Sequence, residues 1–180
     1  MTRGPESVRP AHAIAVVLYV VTLVLRDVYE VLKRRSVVDP EDTRVFATVF
    51  TSMVVMWVSW FAVGALAPAR VAVPPAVHWV GLGVVLAGAG LAVGGMWQLK
   101  GVENIDHLVT TGLFSRLRHP MYVGFALWIL GWCAFTGAVT SLVLAPFGMA
   151  SVLWWRHLEE SDLAARYGRE YAEYKATTWV

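Results

Sequence analysis

The chain has 180 residues and a mass of 19.9 kDa; 57% of it is hydrophobic and only 16% charged, at a net charge of +2 and a mean hydropathy of +0.57. A soluble domain runs at about 45–50% apolar and about 25% charged, so too little polar surface remains here to cover a compact body in water. That excludes a disordered chain, a disulfide scaffold and most soluble enzymes. The single cysteine, Cys133, also excludes an intrachain disulfide and a cysteine-rich zinc site, and no metal is expected.

An all-α integral membrane protein, one membrane domain over residues 1–180, is the expected class. A span needs about 20 apolar residues. The first is expected over residues 8–26. Arg3 and Arg9 precede it as they would a secretory signal, but Arg26-Asp27-Val28-Tyr29-Glu30 offers no small-residue cleavage site, so a retained helix is expected. Residues 27–44 read as a charged helical extension that turns at Asp39-Pro40, with Lys33-Arg34-Arg35 as an orientation-setting anchor. Residues 45–67 form a second span without charge. Residues 76–97 form a third, with His78 as its only ionisable group and six glycines between Gly81 and Gly95. Gly90-x-x-x-Gly94 is the spacing expected to let helix backbones approach in lipid.

From Met121 to Trp155 there is no charge over 35 residues, too long for one span and slightly short for two. Phe135 to Ser141 supplies a break, so two short spans, 120–136 and 140–156, are expected as a tight hairpin, with Pro146 kinking the second. Beyond it, Leu163, Tyr167, Tyr171 and Tyr174 recur at steps of four, four and three, the stripe of an amphipathic helix over residues 161–175 interrupted by Gly168. Five spans with the N-terminus outside put twelve of the fifteen basic residues on the inner side, leaving only Arg3, Arg9 and Arg70 outside. Such asymmetry follows the positive-inside rule and predicts a cytosolic C-terminus.

Two polar stretches carry chemistry. Arg118 and His119 stand before Pro120 at the mouth of the fourth span, where the first helical amides have no intrahelical partner. Glu159 and Glu160 follow Trp155-Arg156-His157 at the end of the fifth. A hairpin brings its ends together, so these groups should meet at the inner membrane surface, at the rim of an apolar cavity. Interfacial salt-bridging anchors would account for the same residues.

The stretches His107-Leu108-Val109-Thr110-Thr111-Gly112, Arg118-His119-Pro120-Met121-Tyr122-Val123-Gly124, Glu159-Glu160-x-x-Leu163 and Tyr167-Gly168-x-x-Tyr171-x-x-Tyr174 occur in that order around the hairpin. Together they resemble the isoprenylcysteine carboxyl methyltransferase family, integral-membrane methyltransferases related to the phospholipid N-methyltransferases. The resemblance covers residues 105–175 and implies that this half binds S-adenosyl-L-methionine at the cytosolic face. Carried across, it implies that His107, Leu108, Val109, Gly112, Phe114, His119, Tyr122, Glu159 and Glu160 contact the cofactor. It further implies that Arg118 and Arg156 are catalytic, holding an anionic group of the acceptor. Phe114 stands where the family often has Tyr, and the Pro-containing extension that follows the last tyrosine in the eukaryotic enzymes is not expected here. The implied function is S-adenosylmethionine-dependent methyl transfer to a lipophilic or small acceptor, a carboxylate, amine or thiol, in a pocket walled by Trp128, Trp132, Trp154 and Trp155. Membrane lipid is an expected partner; nucleic acid is not. The alternatives are an NADPH-dependent membrane reductase of the sterol-reductase kind, which shares a basic-His-x-x-Tyr pattern, and a non-enzymatic membrane scaffold.

Overall fold

The computed structural model describes residues 5–40, 42–99 and 107–180; Arg3, Lys100 and the first two residues of the expected cofactor half, Ile105 and Asp106, lie outside them. The described residues are all-α, without a sheet: α1 Pro5–Arg34, α2 Thr43–Ala65, α3 Pro75–Leu99, α4 Pro120–Thr136 and α5 Val139–Thr177. Four of these, all but α4, are long and apolar enough to cross a membrane, and the chain is an integral membrane protein.

Five spans were the expectation, and α4 occupies the residues expected for the short fourth, 120–136; it is the one helix of the five too short to cross by length alone. Its 17 residues rise about 25 Å, short of the ~30 Å hydrocarbon core. Both limits are local. Pro120 occupies the first helical position, where a missing N–H costs nothing, and Gly137 terminates the helix in the left-handed conformation (φ 60°), its N–H donating to the Cys133 carbonyl. Only Gly137 and Ala138 separate α4 from α5. At this end Val71 N donates to Gly137 O (2.8 Å), Val139 N to Ala69 O (3.1 Å), and Arg70 reaches the carbonyls of Thr136 and Gly64 (2.9 Å each).

The structure differs from expectation at α5: a span ending at 156 and a separate surface helix were expected, but one helix runs from Val139 past Arg156 and Ser161 as far as Gly168. Arg156 to Ser161 contains no glycine or proline, so nothing stops the helix there. The break comes at Gly168, whose φ of 50° and ψ of −115° are non-helical.

The core lies where α1, α2, α4 and α5 converge, around the fully buried Tyr19, Met56, Trp60, Ile129 and Trp155. The rings of Tyr19 and Trp60 are 5.1 Å apart. Trp57 and Phe61 of α2 interleave edge-to-face with Trp128 and Trp132 of α4. On α3, Trp79 and Trp97 are both exposed and stand 18 residues apart, about 27 Å, the separation of the two aromatic belts of a bilayer.

The α3–α4 contact is made by glycine, at other positions than expected. Gly81, Gly88 and Gly95 recur every seven residues on α3 and face Gly131, Gly124 and Met121 of α4. A Cβ on Gly88 would lie 2.6 Å from the Gly124 carbonyl oxygen, and one on Gly124 would lie 2.5 Å from the Gly88 oxygen. Gly90, from the expected Gly90-x-x-x-Gly94 pair, faces open space.

Candidate functional site

The polar end of the bundle is built where α1 and α3 finish and α4 begins. Arg118 and His119 are carried into α4 by Pro120; Arg156, Glu159 and Glu160 occupy consecutive turns of α5. Glu160 collects the cations. Its Oε1 lies 3.4 Å from Arg118 Nη2, 3.3 Å from Arg156 Nη2 and 3.4 Å from His119 Nε2, while Oε2 accepts from Lys175 Nζ at 2.8 Å. His119 Nδ1 lies 4.0 Å from Glu159. At 3.4 Å the His119–Glu160 contact lacks hydrogen-bond geometry, and Nε2 stays buried without a partner. Burial pushes the His119 imidazole down from 6.5 to about 4; Glu160 opposes this, while Arg156 and Arg118 reinforce it. The ring is therefore neutral at pH 7, and Glu160 pairs with arginine and lysine rather than with an imidazolium.

A strap at the chain's end holds Arg118. Residues 178–180 run beside residues 116–119 as an isolated parallel bridge: Trp179 N donates to Arg116 O (2.8 Å), Arg118 N to Trp179 O (2.9 Å) and His119 N to Val180 O (3.1 Å). Arg118 Nη1 donates to the Thr178 carbonyl at 2.6 Å, and the Tyr174 hydroxyl donates to Phe114 O at 2.6 Å. Gly168 redirects the end of α5 so that these contacts can form.

Beside the cluster opens a cavity of about 320 Å³. Tyr122, Phe125 and Met121 of α4 and Trp155, Glu159 and Leu163 of α5 form one side; Arg26, Glu30 and Lys33 of α1 and Met53 of α2 form the other. Tyr122 hydrogen-bonds Glu159. The expected site residues thus divide. Tyr122 and Glu159 line the cavity; Arg118, His119, Arg156 and Glu160 form the adjoining polar cluster. His107, Leu108, Val109, Gly112 and Phe114 do not line it. His107 and Gly112 are exposed, Leu108 and Val109 half-buried, and Phe114 buried. This segment rests on the end of α3, where Leu113 N donates to Gln98 Oε1 at 2.9 Å. Of the four tryptophans expected as pocket walls, Trp155 alone lines the cavity.

The α1 wall was missed. Tyr19, Thr22, Arg26, Glu30 and Lys33 follow helical steps of three and four and make one polar stripe; the first four are buried. The spacing is present in the sequence, but Tyr19, Thr22 and Arg26 fall in the expected first span and Glu30 and Lys33 in the charged extension after it, so the stripe is divided between the two. The strap left no signal, since Thr178-Trp179-Val180 has no distinctive pattern.

The described residues thus form an apolar membrane bundle with a half-buried ionic cluster and a cavity at one end. Residues 76–170, just over half of the chain, match the model of the phospholipid methyltransferase family. The chain belongs to this family, whose members are membrane-associated S-adenosylmethionine-dependent methyltransferases. It is 35% identical over 80 residues to the protein-S-isoprenylcysteine O-methyltransferase of Schizosaccharomyces pombe and 31% identical over 77 residues to that of Tribolium castaneum. Each match covers 41% of this chain and 32% or 27% of the relative, so the chain spans about a third or less of the curated relatives' length. No solved structure matches.

The residues present fit such a cofactor. The Glu159 carboxylate accepts hydrogen bonds of the kind ribose hydroxyls and an ammonium donate, and Phe125 and Trp155 offer aromatic faces. His119 Nε2 and the Tyr171 hydroxyl are buried without a hydrogen-bond partner near Glu160.

Proposed function

We propose that residues 105–175 form an S-adenosylmethionine site and that the protein transfers a methyl group to a lipophilic or small acceptor at the cytosolic membrane face. The observation that carries this reading is the convergence of Arg118 and His119 with Glu159 and Glu160, about forty residues away in sequence, within 4 Å beside a cavity. Family membership, matched over residues 76–170, supports it.

S-adenosylmethionine, when bound, supplies a methyl group on a sulfonium. What the chain has to add is alignment and exclusion of water, because such a displacement needs neither metal nor covalent enzyme intermediate. Glu159 and Tyr122 orient the polar part of the donor. Glu160, held by three cations, keeps Arg118 and Arg156 in register at the mouth of α4. Trp155, Phe125 and Met121 keep water out. No general base is assigned, since a carboxylate acceptor needs none. The short α4, followed by α5 after a two-residue connection, serves as the hairpin that holds both halves of the site. The second half of α5 lies over the membrane surface. The inner side is the cytosolic one on the strength of the basic residues. The similarity to isoprenylcysteine O-methyltransferases supports a lipophilic acceptor.

Calorimetry on detergent-purified protein tests the reading. Saturable binding of S-adenosylhomocysteine is expected. Binding of a nicotinamide dinucleotide instead would establish the reductase alternative, and binding of neither would leave a scaffold.

A further inference from the structure

We propose that Asp27 of α1 is a positioning residue for the donor site: it fixes the Trp155 indole in the orientation in which that ring walls the cavity. The inference rests on the methyltransferase reading above. It adds to that reading a residue outside the stretch matched by the family model, which begins at residue 76.

An acidic side chain within a membrane-spanning helix is costly and is kept where the bundle interior gives it a partner. Asp27 lies in the stretch Arg9–Arg34, which is long and apolar enough to cross a membrane, and α5 engages both of its carboxyl oxygens. Trp155 Nε1 donates to Oδ1 at 2.8 Å, and Ser151 Oγ donates to Oδ2 at 3.0 Å. Ser151 and Trp155 stand four residues apart, on one face of α5. The two bonds therefore fix the carboxyl plane against the helix, and the indole against the carboxyl. The Arg26 guanidinium lies over the same ring, 5.1 Å from its centroid. Edge and face of the indole are thus both held from α1.

Packing alone does not account for the bond. Trp57, Trp60, Trp128 and Trp132 bury their indole nitrogens in the same bundle without a hydrogen-bond partner among the described residues. Trp155 has one, and it is the tryptophan that lines the cavity. Docking of α1 on α5 also has a second polar tie about two turns further on, where Arg34 Nη2 donates to Asp162 Oδ1 at 2.8 Å. What distinguishes Trp155 is its place in a wall. A ring with open space beside it has several rotamers within reach, and a bond to a fixed acceptor selects one of them. Without that bond the indole is free to swing into the cavity, filling the room for the donor, or away from it, admitting water.

The test is a double-mutant cycle on S-adenosylhomocysteine affinity, measured by calorimetry on the full chain in nanodiscs of phosphatidylcholine. Asp27→Ala is expected to weaken binding about fivefold or more, and Asp27→Asn, whose amide oxygen still accepts from the indole, less than about twofold. In a Trp155→Phe background there is no indole N–H to hold, so Asp27→Ala should weaken binding less than about twofold further; a merely structural tie would cost the same in both backgrounds. Incorporated fluorotryptophan gives a second readout. The fluorine resonance of Trp155, identified by its loss in Trp155→Phe, should be single in the wild type and in Asp27→Asn, and shifted or split in Asp27→Ala. If Asp27→Ala does not fold, Asp27→Glu, which moves the carboxyl by one methylene, should shift that resonance and weaken binding about threefold. Unchanged affinity, an unmoved resonance, an Asp27→Asn as impaired as Asp27→Ala, or an equal loss in the Trp155→Phe background overturns the positioning role. A wild-type chain that binds no S-adenosylhomocysteine overturns the methyltransferase reading and this role with it, whereas binding indifferent to Asp27 overturns the role alone.

Discussion

At the level of single residues, Glu160 decides how the polar end is held together. Three cations and the His119 ring converge on a carboxylate that is 13% exposed. Removing its charge leaves Arg118 and Arg156 close together with nothing between them, although Lys175 is half-exposed and moderates the effect. Breaking a buried pair costs about 3–5 kcal/mol, so Glu160→Gln is expected to cost about 2 kcal/mol after allowing for that solvent access. Thermal unfolding in detergent reads this directly, and an unchanged midpoint would show that the cluster contributes nothing to stability. His119 gives the site a pH dependence with a definite sign. Its imidazole titrates near 4 in the fold and near 6.5 in the unfolded chain, so between those values the unfolded state binds more protons. Stability contributed by the neutral ring is therefore complete above about pH 6.5 and falls as the pH drops towards 4, by about 3 kcal/mol in all. His119→Gln should flatten this part of the stability–pH curve. A variant as acid-sensitive as the wild type would mean that the slope arises elsewhere.

At the level of helices, backbone contact between α3 and α4 is the feature least tolerant of change. Small residues permit close helix approach in lipid, where apolar bulk alone provides little drive for association. A methyl on Gly88 meets the Gly124 carbonyl at 2.6 Å and the Trp128 amide nitrogen at 2.9 Å, and neither backbone atom can move aside without shifting the helix. A methyl on Gly90 meets nothing. Gly88→Ala is therefore expected to destabilise by more than 2 kcal/mol, at the upper end of overpacking costs. Gly90→Ala should be neutral or stabilising by up to about 1 kcal/mol through helix propensity. Scanning calorimetry of the two variants side by side separates a directional glycine face from a helix that is merely rich in glycine; equal effects would remove the face. The composition of α3 made close packing readable, but not which glycines perform it, because a four-residue and a seven-residue spacing coexist in one stretch and only the partner helix chooses between them.

Across the whole molecule, legibility followed the range of the interaction. Helices were readable from apolar runs, and their ends from Pro120 and Gly137, since both are local. The meeting of Arg118 and His119 with Glu159 and Glu160 was readable because a short connection between α4 and α5 leaves little choice of geometry. Contacts made over longer separations were not: Arg26 and Asp27 reach Trp155, and Trp179 reaches Arg116, only after the bundle has closed. The continuity of α5 past Arg156 was also hidden, because a change from apolar to charged composition marks a membrane boundary, not a helix end. Orientation is the remaining property that charge alone predicts. Twelve of fifteen basic residues belong to one side of the five-helix scheme, while Arg70 sits at the opposite end, bonded to the carbonyls that close α2 and α4. The positive-inside rule then puts the Glu160 cluster in the cytosol and Ala69 outside. Because Cys133 is the sole cysteine, Cys133→Ala provides a background in which one new thiol reports one location. Ala69 and Ser161 are both exposed, at opposite ends of the molecule. In intact cells a membrane-impermeant maleimide should label Ala69→Cys and not Ser161→Cys, and permeabilisation should expose the second. Labelling in the reverse order would turn the molecule over and put the proposed cofactor cluster on the side where no cytosolic methyl donor reaches it.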